Sequence, residues 1–430
     1  MTSSRFVGFP FILMATLFVT GCVAVARERV PSIASDEVAP VGFPHSIRIV
    51  RDIPQTFDER EAQIRPRVAA ATSGAPINIL ALSGGGAGGA FGAGVLVGWS
   101  RAGTRPDFQI VTGVSSGALI APLAFLGSSW DGVLEEAFSG SQTEHLLQRR
   151  PLGALLGSSL YRGKPLAALV EHYATDALIR AVAAEAEKGR LLLVATTNLD
   201  TEQTTIWNLT SIAGQGGEQG RKLFRDILIA SASIPGIFPP VLIRVEGSGR
   251  QFEELHVDGE TTTSFFVGPE IAGFLPSAIT SLHGSNLYVI INAQLGDAAE
   301  TTPIGTLAIV KRGIAASMSS GTRTDLQIAY FLARQNDLNL RVTDIPPAYP
   351  FRGPLDLSAS AMKPLFDYGV RCANKGQSWK TPLAAAEAAE SIPSTQVDTV
   401  RCPATSGRYA PNLQAADALE QASVATPAGH

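Results

Sequence analysis

Apolar positions in this chain come in short runs whose period changes along its length. Residues 77–82, Ile-Asn-Ile-Leu-Ala-Leu, have the pattern of a buried strand and end on Ser83-Gly84-Gly85-Gly86-Ala87-Gly88-Gly89. A helix with small residues on one face is predicted next, over 90–102. A second apolar, β-branched run, 108–114, stops at Gly113-Val114-Ser115-Ser116-Gly117, and the pattern predicts a helix over 118–126. Residues 127–189 are helical in tendency, with Leu-rich pieces at 146–160 and 164–180 that read as cover for a sheet or as a lipid-facing wall. Runs 191–197 and 203–209, joined by a turn, predict an antiparallel pair at a sheet edge. An amphipathic helix at 221–233 is stopped by Pro235, strands follow at 241–245 and 252–257, and Asp258-Gly259 comes immediately after. A last strand at 286–292 and helices at 306–318 and 325–336 complete the periodic part. From 346 the pattern weakens, and 391–430 is polar with scattered proline.

The N-terminus reads as a targeting segment. Residues 6–26 carry no charge over 21 positions, long enough for a membrane span of about 20. Pro10 and the ending Thr20-Gly21-Cys22 favour processing instead. Small residues before a cysteine resemble the lipobox of bacterial lipoproteins, which implies cleavage after Gly21 and a lipid on Cys22. Val23, where an Asp would signal retention, implies sorting to the outer membrane. Either reading exports the body of the protein and holds it at a membrane. Residues 24–73 contain Pro31, Pro40, Pro44, Pro54 and Pro66 and predict an extended tether with one short helix near 55–64.

Composition narrows the function classes. Net charge is −4, from 34 Lys and Arg against 38 Asp and Glu, and no basic block points to nucleic acid. Six scattered histidines and three cysteines lack metal-ligand spacing, so neither a metal nor another cofactor is expected. In an oxidising compartment Cys372 and Cys402 could bridge; two free thiols are the alternative.

The chemistry concentrates in three places. Gly113, Ser115 and Gly117 fit Gly-x-Ser-x-Gly, in which a serine at a sharp strand-to-helix corner presents its hydroxyl as a nucleophile. Gly84, Gly86 and Gly89 fit a dinucleotide fingerprint, which requires an acidic residue at the carboxyl end of the next strand. Asp107 lies at the entering end of that strand, so the fingerprint fails. The loop fits an oxyanion hole instead, its amides unobstructed at a helix N-terminus. Asp258, at a strand end before Gly259, can face the same cleft as the serine; an ordinary Asp-Gly turn is the alternative.

In these residues the chain resembles the patatin-like phospholipases, and in its N-terminus their bacterial lipoprotein members. The resemblance covers about 77–266 and rests on the 83–91 glycine loop, on 113–117 and on Val257-Asp258-Gly259. It rests also on Ala230-Ser231-Ala232-Ser233-Ile234-Pro235-Gly236-Ile237-Phe238-Pro239-Pro240, similar to a family segment. It implies a three-layer α/β/α sandwich with a mostly parallel sheet, and a Ser115–Asp258 dyad without histidine. The oxyanion hole would come from the loop of Gly84, Gly85, Gly86, Ala87, Gly88 and Gly89, centred on Gly85 and Gly86. The implied substrate is a phospholipid or other acyl lipid, met at the membrane. Two positions depart from the family: Gly88, where Arg or Lys is frequent, and Glu260, where Gly or Ala is preferred. They keep open a catalytically silent lipid- or partner-binding protein; an α/β-hydrolase triad completed by His283 is a further alternative. The expected organisation is a signal peptide at 1–21, an anchored tether at 22–76, a catalytic domain at 77–345 and a partly disordered extension at 346–430.

Overall fold

Strand alternation sorts the apolar side chains into two cores. In β3 (Asn78–Leu82), Leu80 and Leu82 face one cluster while Ile79 and Ala81 face the other. In β4 (Ile110–Val114), Val111 joins the first cluster and Ile110 and Val114 the second. In β5 (Leu191–Asn198), Leu192 and Val194 join the first, Leu191, Leu193 and Ala195 the second. Strands buried on both faces read as continuous apolar runs, which is why these three are visible in the sequence. The computed structural model describes residues 27, 30, 38–50, 76–140, 142–143, 145–148, 158–267, 282–295, 301–380 and 400–405. Cys22, the expected signal segment, the short helix near 55–64 and the tail beyond 405 lie outside the described residues.

The remaining strands are β1 (Ala39–Pro40), β2 (Arg48–Val50), β6 (Gln203–Asn208), β7 (Val241–Gly247), β8 (Arg250–Asp258), β9 (Asn286–Ile291) and β10 (Asn339–Asp344). They form one sheet in the order β1-β7-β8-β5-β4-β3-β9-β10, with β6 on β5 and β2 on β6. The first core packs under α1 (Gly89–Arg101), α2 (Ser116–Leu126), α3 (Asp131–Phe138), α4 (Lys164–Tyr173), α5 (Asp176–Glu187), α6 (Leu209–Gln215) and α7 (Gly217–Ser231). On the opposite face lies α8 (Thr306–Gln335), through Leu326, Ala329 and Ala333. The α/β/α layering is present. The sheet is parallel across β5-β4-β3-β9-β10 and antiparallel elsewhere, a larger antiparallel share than the sequence suggests. The cause is connection length: β5–β6 and β7–β8 are joined by tight turns that cannot make a parallel crossover. The β7–β8 turn places Ser248 at φ 50° and Gly249 at φ 74°, as a two-residue hairpin with right-handed strand twist requires.

Three expectations need correction. The two helices expected at 306–318 and 325–336 are one, because Thr322 and Thr324 bond back to the carbonyls of Met318 and Ser320 and so remain compatible with the helix. The decline in order expected from 346 does not begin there: α9 (Ala359–Asn374) buries Met362, Leu365, Phe366, Tyr368 and Cys372. It lies against α1 backbone to backbone, and a methyl group at Gly94 would stand 2.1 Å from the Phe366 carbonyl oxygen. That contact explains the small-residue face of α1. A disulfide joins Cys372 of α9 to Cys402. The expected tether also enters the fold over 38–50, with β1 on β7 and β2 on β6. Among the described residues no helix is long and apolar enough to cross a membrane.

Arg48 of β2 is buried and pairs with buried Glu254 of β8 at 2.5 Å. Burial alone would raise the Glu254 pKa, but Arg48 and His256 outweigh it and hold it at about 2 against an ordinary 4.5. An Arg48→Met variant leaves that carboxylate buried without its cation and is expected to lose roughly 3–5 kcal/mol of stability in urea unfolding. Because the folded pKa is depressed, this contribution is full above the unfolded pKa and fades as pH falls toward about 2. The difference between wild type and variant therefore shrinks on acidification. A variant as stable as wild type at neutral pH would mean that residues 38–50 are not integral to the fold.

Candidate active site

The site forms where one strand takes over another's place. The first half of β5 pairs with β4, ending at Val114 opposite Ala195. The next residues of β5 pair on the same edge with β8, which arrives from the opposite direction and sets Asp258 opposite Thr196. The ends of β4 and β8 thus meet head-on, and residues 143 positions apart become neighbours. Ser115 Oγ donates to Asp258 Oδ2 at 2.6 Å, and both residues are buried.

Ser115 sits at φ 53°, ψ −122°, a left-handed conformation costly for a residue with a Cβ. Close packing compels it. A methyl at Gly113 would lie 2.6 Å from the Gly117 carbonyl oxygen, and one at Gly117 2.4 Å from that of Leu82. The corner is also tied down. The Ser115 amide donates to Ser231 Oγ at 3.0 Å, and Ser231 Oγ donates to the Ala195 carbonyl at 2.7 Å. Two residues on, the Ser233 carbonyl accepts the Asp258 amide at 2.9 Å. The segment after α7 therefore fixes both partners. Ser231 and Ser233 lie in the segment that resembles the family, where two serines at and just after an otherwise apolar helix end are the sign of this role in the sequence.

Asp258 Oδ1 accepts the Glu260 amide at 2.8 Å. Burial drives the Asp258 pKa from 3.8 to about 7, outweighing the hydrogen bonds from Ser115 and Glu260 that favour the charged form. An aspartate so raised is a far better proton acceptor than one at its ordinary value. The Glu260 side chain lies against the glycine loop, where a methyl at Gly84 would be 2.2 Å from its Oε2. Its pKa is pushed well above the ordinary value by burial and by the like charges of Asp258 and Asp325.

The glycine loop is narrower in its possible role than its composition suggests. The amides of Gly84, Ala87 and Gly88 donate to the carbonyls of Ser264, Pro354 and Gly85, and that of Gly89 to its own turn. Among the described residues the amides of Gly85 and Gly86 donate to nothing, and both residues have positive φ, 143° and 55°. Of the six loop residues expected to form an oxyanion hole, these two have donors to offer. The loop is held by Asn292 at the end of β9, whose Nδ2 donates to the Ser83 carbonyl at 2.7 Å and whose amide donates to Ser83 Oγ at 2.9 Å. Nothing local in the sequence marks Asn292. Its carbonyl also explains Gly88, where a methyl would stand 1.9 Å from that oxygen, leaving no room for the cationic side chain frequent in the family.

Beside Ser115 a cavity of about 90 Å³ lies in the first core, and Gly86 and Ser116 also line it. Leu123, Phe138, Leu166, Val170, Leu228 and Phe238 are among its walls, and none of its lining side chains is charged. The Ser116 hydroxyl is buried there without a hydrogen-bond partner. His283 is far from taking part as a base: its side chain is 75% exposed and pairs with Asp337 at 3.2 Å. The other histidine near in sequence, His256, contacts Thr196 and Glu254. Among the described residues no histidine bonds to Ser115 or Asp258, and no group of three or more His, Cys, Asp or Glu could hold a metal ion.

No curated protein matches the chain. Among solved structures, VipD from Legionella pneumophila is similar at 11% identity and a TM-score of 0.31, over 71% of this chain and 68% of that one. Human GIVD cytosolic phospholipase A2 is similar at 13% identity and a TM-score of 0.32, over 65% of this chain and 51% of that one. Residues 80–269, which hold the glycine loop, the serine corner and the Asp258 strand end, match the family model for patatin-like phospholipases.

Proposed function

We propose that this protein is a serine acyl ester hydrolase of the phospholipase A or lysophospholipase type, working through Ser115 and Asp258. The observation that carries the reading is the 2.6 Å hydrogen bond from Ser115 to a buried carboxylate whose pKa stands at about 7, at the mouth of an uncharged cavity. Asp258 Oδ2 takes the Ser115 proton as Oγ attacks the ester carbonyl carbon. The developing oxyanion lies on the Gly85 and Gly86 amides, donors fixed before the charge appears. Collapse of the tetrahedral intermediate breaks the ester bond, and the leaving alcohol takes the proton from Asp258. Water, deprotonated by the same carboxylate, then releases the acid from Ser115. The acyl chain occupies the apolar cavity, where burial of each CH₂ contributes about 0.8 kcal/mol.

Turnover of phospholipids, lysophospholipids and triglycerides by wild type, Ser115→Ala and Asp258→Asn tests this. Both variants are expected to fold and to lose about a thousandfold or more in kcat. Because the base must be ionised, wild-type kcat/KM should rise with pH through about 7 and then level off. A folded Asp258→Asn enzyme with wild-type turnover, or a profile already flat down to the ordinary aspartate range of about 4, would remove Asp258 from the mechanism.

We further propose that the mature chain is a lipoprotein of a bacterial envelope, anchored through Cys22 and sorted to the outer membrane. The Cys372–Cys402 disulfide supports export, since such bonds persist in oxidising compartments. Anchoring would bring the cavity to acyl lipids at high local concentration. Metabolic labelling with a palmitate analogue in a bacterial host should mark the wild-type chain and not Cys22→Ala; equal labelling of both would exclude the anchor.

A further inference from the structure

One wall of the cavity comes from outside the family-matched residues 80–269. Pro354, Leu355, Leu357 and Met362 line it, all lying between β10 and the first turn of α9. This stretch is fastened at several points. The Pro354 carbonyl accepts the Ala87 amide at 2.8 Å. The Leu357 carbonyl accepts Thr143 Oγ1 at 2.8 Å. Asp356 Oδ1 accepts the Ser358 hydroxyl at 2.6 Å just ahead of α9. Met362 is only 1% exposed, on the helix whose backbone is packed against α1. At its other end the strap presses on the glycine loop, since a methyl at Gly86 would stand 2.1 Å from the Pro354 carbonyl oxygen.

We propose that the strap from Pro354 to Met362 determines which acyl chains this enzyme accepts, with the Leu357 side chain setting how long a chain the cavity holds. The proposal rests on the reading of the cavity as the acyl site. Leu357 is half-buried, so its side chain can be enlarged or reduced without disturbing the core around Met362. Its carbonyl accepts Thr143 Oγ1, which holds the backbone from which this side chain lines the cavity. The strap is also coupled to catalysis: Pro354 holds the Ala87 amide, which adjoins Gly86 with its unspent donor. One segment therefore positions the chain and the oxyanion loop together. This is a fixed wall, bonded at both ends, and substrate selection by it needs no lid movement.

The test is the ratio of kcat/KM for p-nitrophenyl palmitate over p-nitrophenyl butyrate, measured for wild type, Leu357→Trp and Leu357→Ala. Leu357→Trp is expected to lower the ratio about tenfold or more, and Leu357→Ala to raise it. Leu242→Ala, at a 43% exposed position of β7, serves as a control and should leave it unchanged. A second readout needs no turnover: binding of dansyl-labelled undecanoic acid to Ser115→Ala, with and without Leu357→Trp, followed by fluorescence. The added Trp should weaken binding about tenfold. If no ester is hydrolysed by wild type but the probe still loses affinity, the hydrolase reading falls and the strap stands as the chain-selecting wall. Folded Leu357 variants that match wild type in both ester ratio and probe affinity would overturn the proposal. Should Leu357→Trp fail to fold, Leu357→Ala alone decides it, by the presence or absence of a raised ratio.

Discussion

A short hydrogen bond between an alcohol and a carboxylate, closed off from water, is the contact on which the rest of this structure depends. Ser115 and Asp258 lie at the ends of two strands that share one edge of β5 from opposite directions. That arrangement makes the antiparallel part of the sheet a requirement of this contact. Were β8 to run parallel with β4, its carboxyl end could not meet that of β4 across a single residue step of β5. The parallel half performs the complementary task, bringing the glycine loop after β3 and the serine corner after β4 to the same edge. Burial then shifts the titration of the pair. The same desolvation that lifts Asp258 to about 7 also raises the pKa of neighbouring Glu260.

Much of this was legible because strained or crowded backbone demands particular residues. A left-handed serine between two close chain crossings requires Gly113 and Gly117, and the positive φ of Gly85 and Gly86 requires glycine in the loop. Such requirements are local, so they leave a local signature. Strands buried on both faces were legible for the same reason. The supports of the site were not. Ser231, Ser233 and Asn292 act through single long-range hydrogen bonds, and any polar residue of similar size would look the same in sequence. The amides of Gly84, Ala87, Gly88 and Gly89 proved to be engaged already, a matter of partners and not of composition. Glu260 and Gly88, the two departures from the family pattern, make contacts with Gly84 and with the Asn292 carbonyl.

The boundaries misled for a related reason. Proline-rich residues before 50 and the weakly patterned residues after 345 look peripheral, because short edge strands and a helix packed through glycine backbones carry little periodicity of their own. Yet Arg48 pairs with Glu254 of the strand that ends on Asp258, and α9 stiffens the helix that begins at the glycine loop. The fold that supports the site is larger than the family-matched segment. Its additions bear on the strand that ends on Asp258 and on one wall of the cavity beside Ser115.

The most direct measurement of the dyad is a crystal structure of the chain after reaction with a long-chain alkyl fluorophosphonate, which mimics the tetrahedral intermediate. The account predicts phosphorus bonded to Ser115 Oγ, the phosphoryl oxygen within hydrogen-bond reach of the Gly85 and Gly86 amides, and the alkyl chain in the cavity beside Leu357. An unmodified Ser115, or an adduct whose oxygen points away from those two amides, would contradict it.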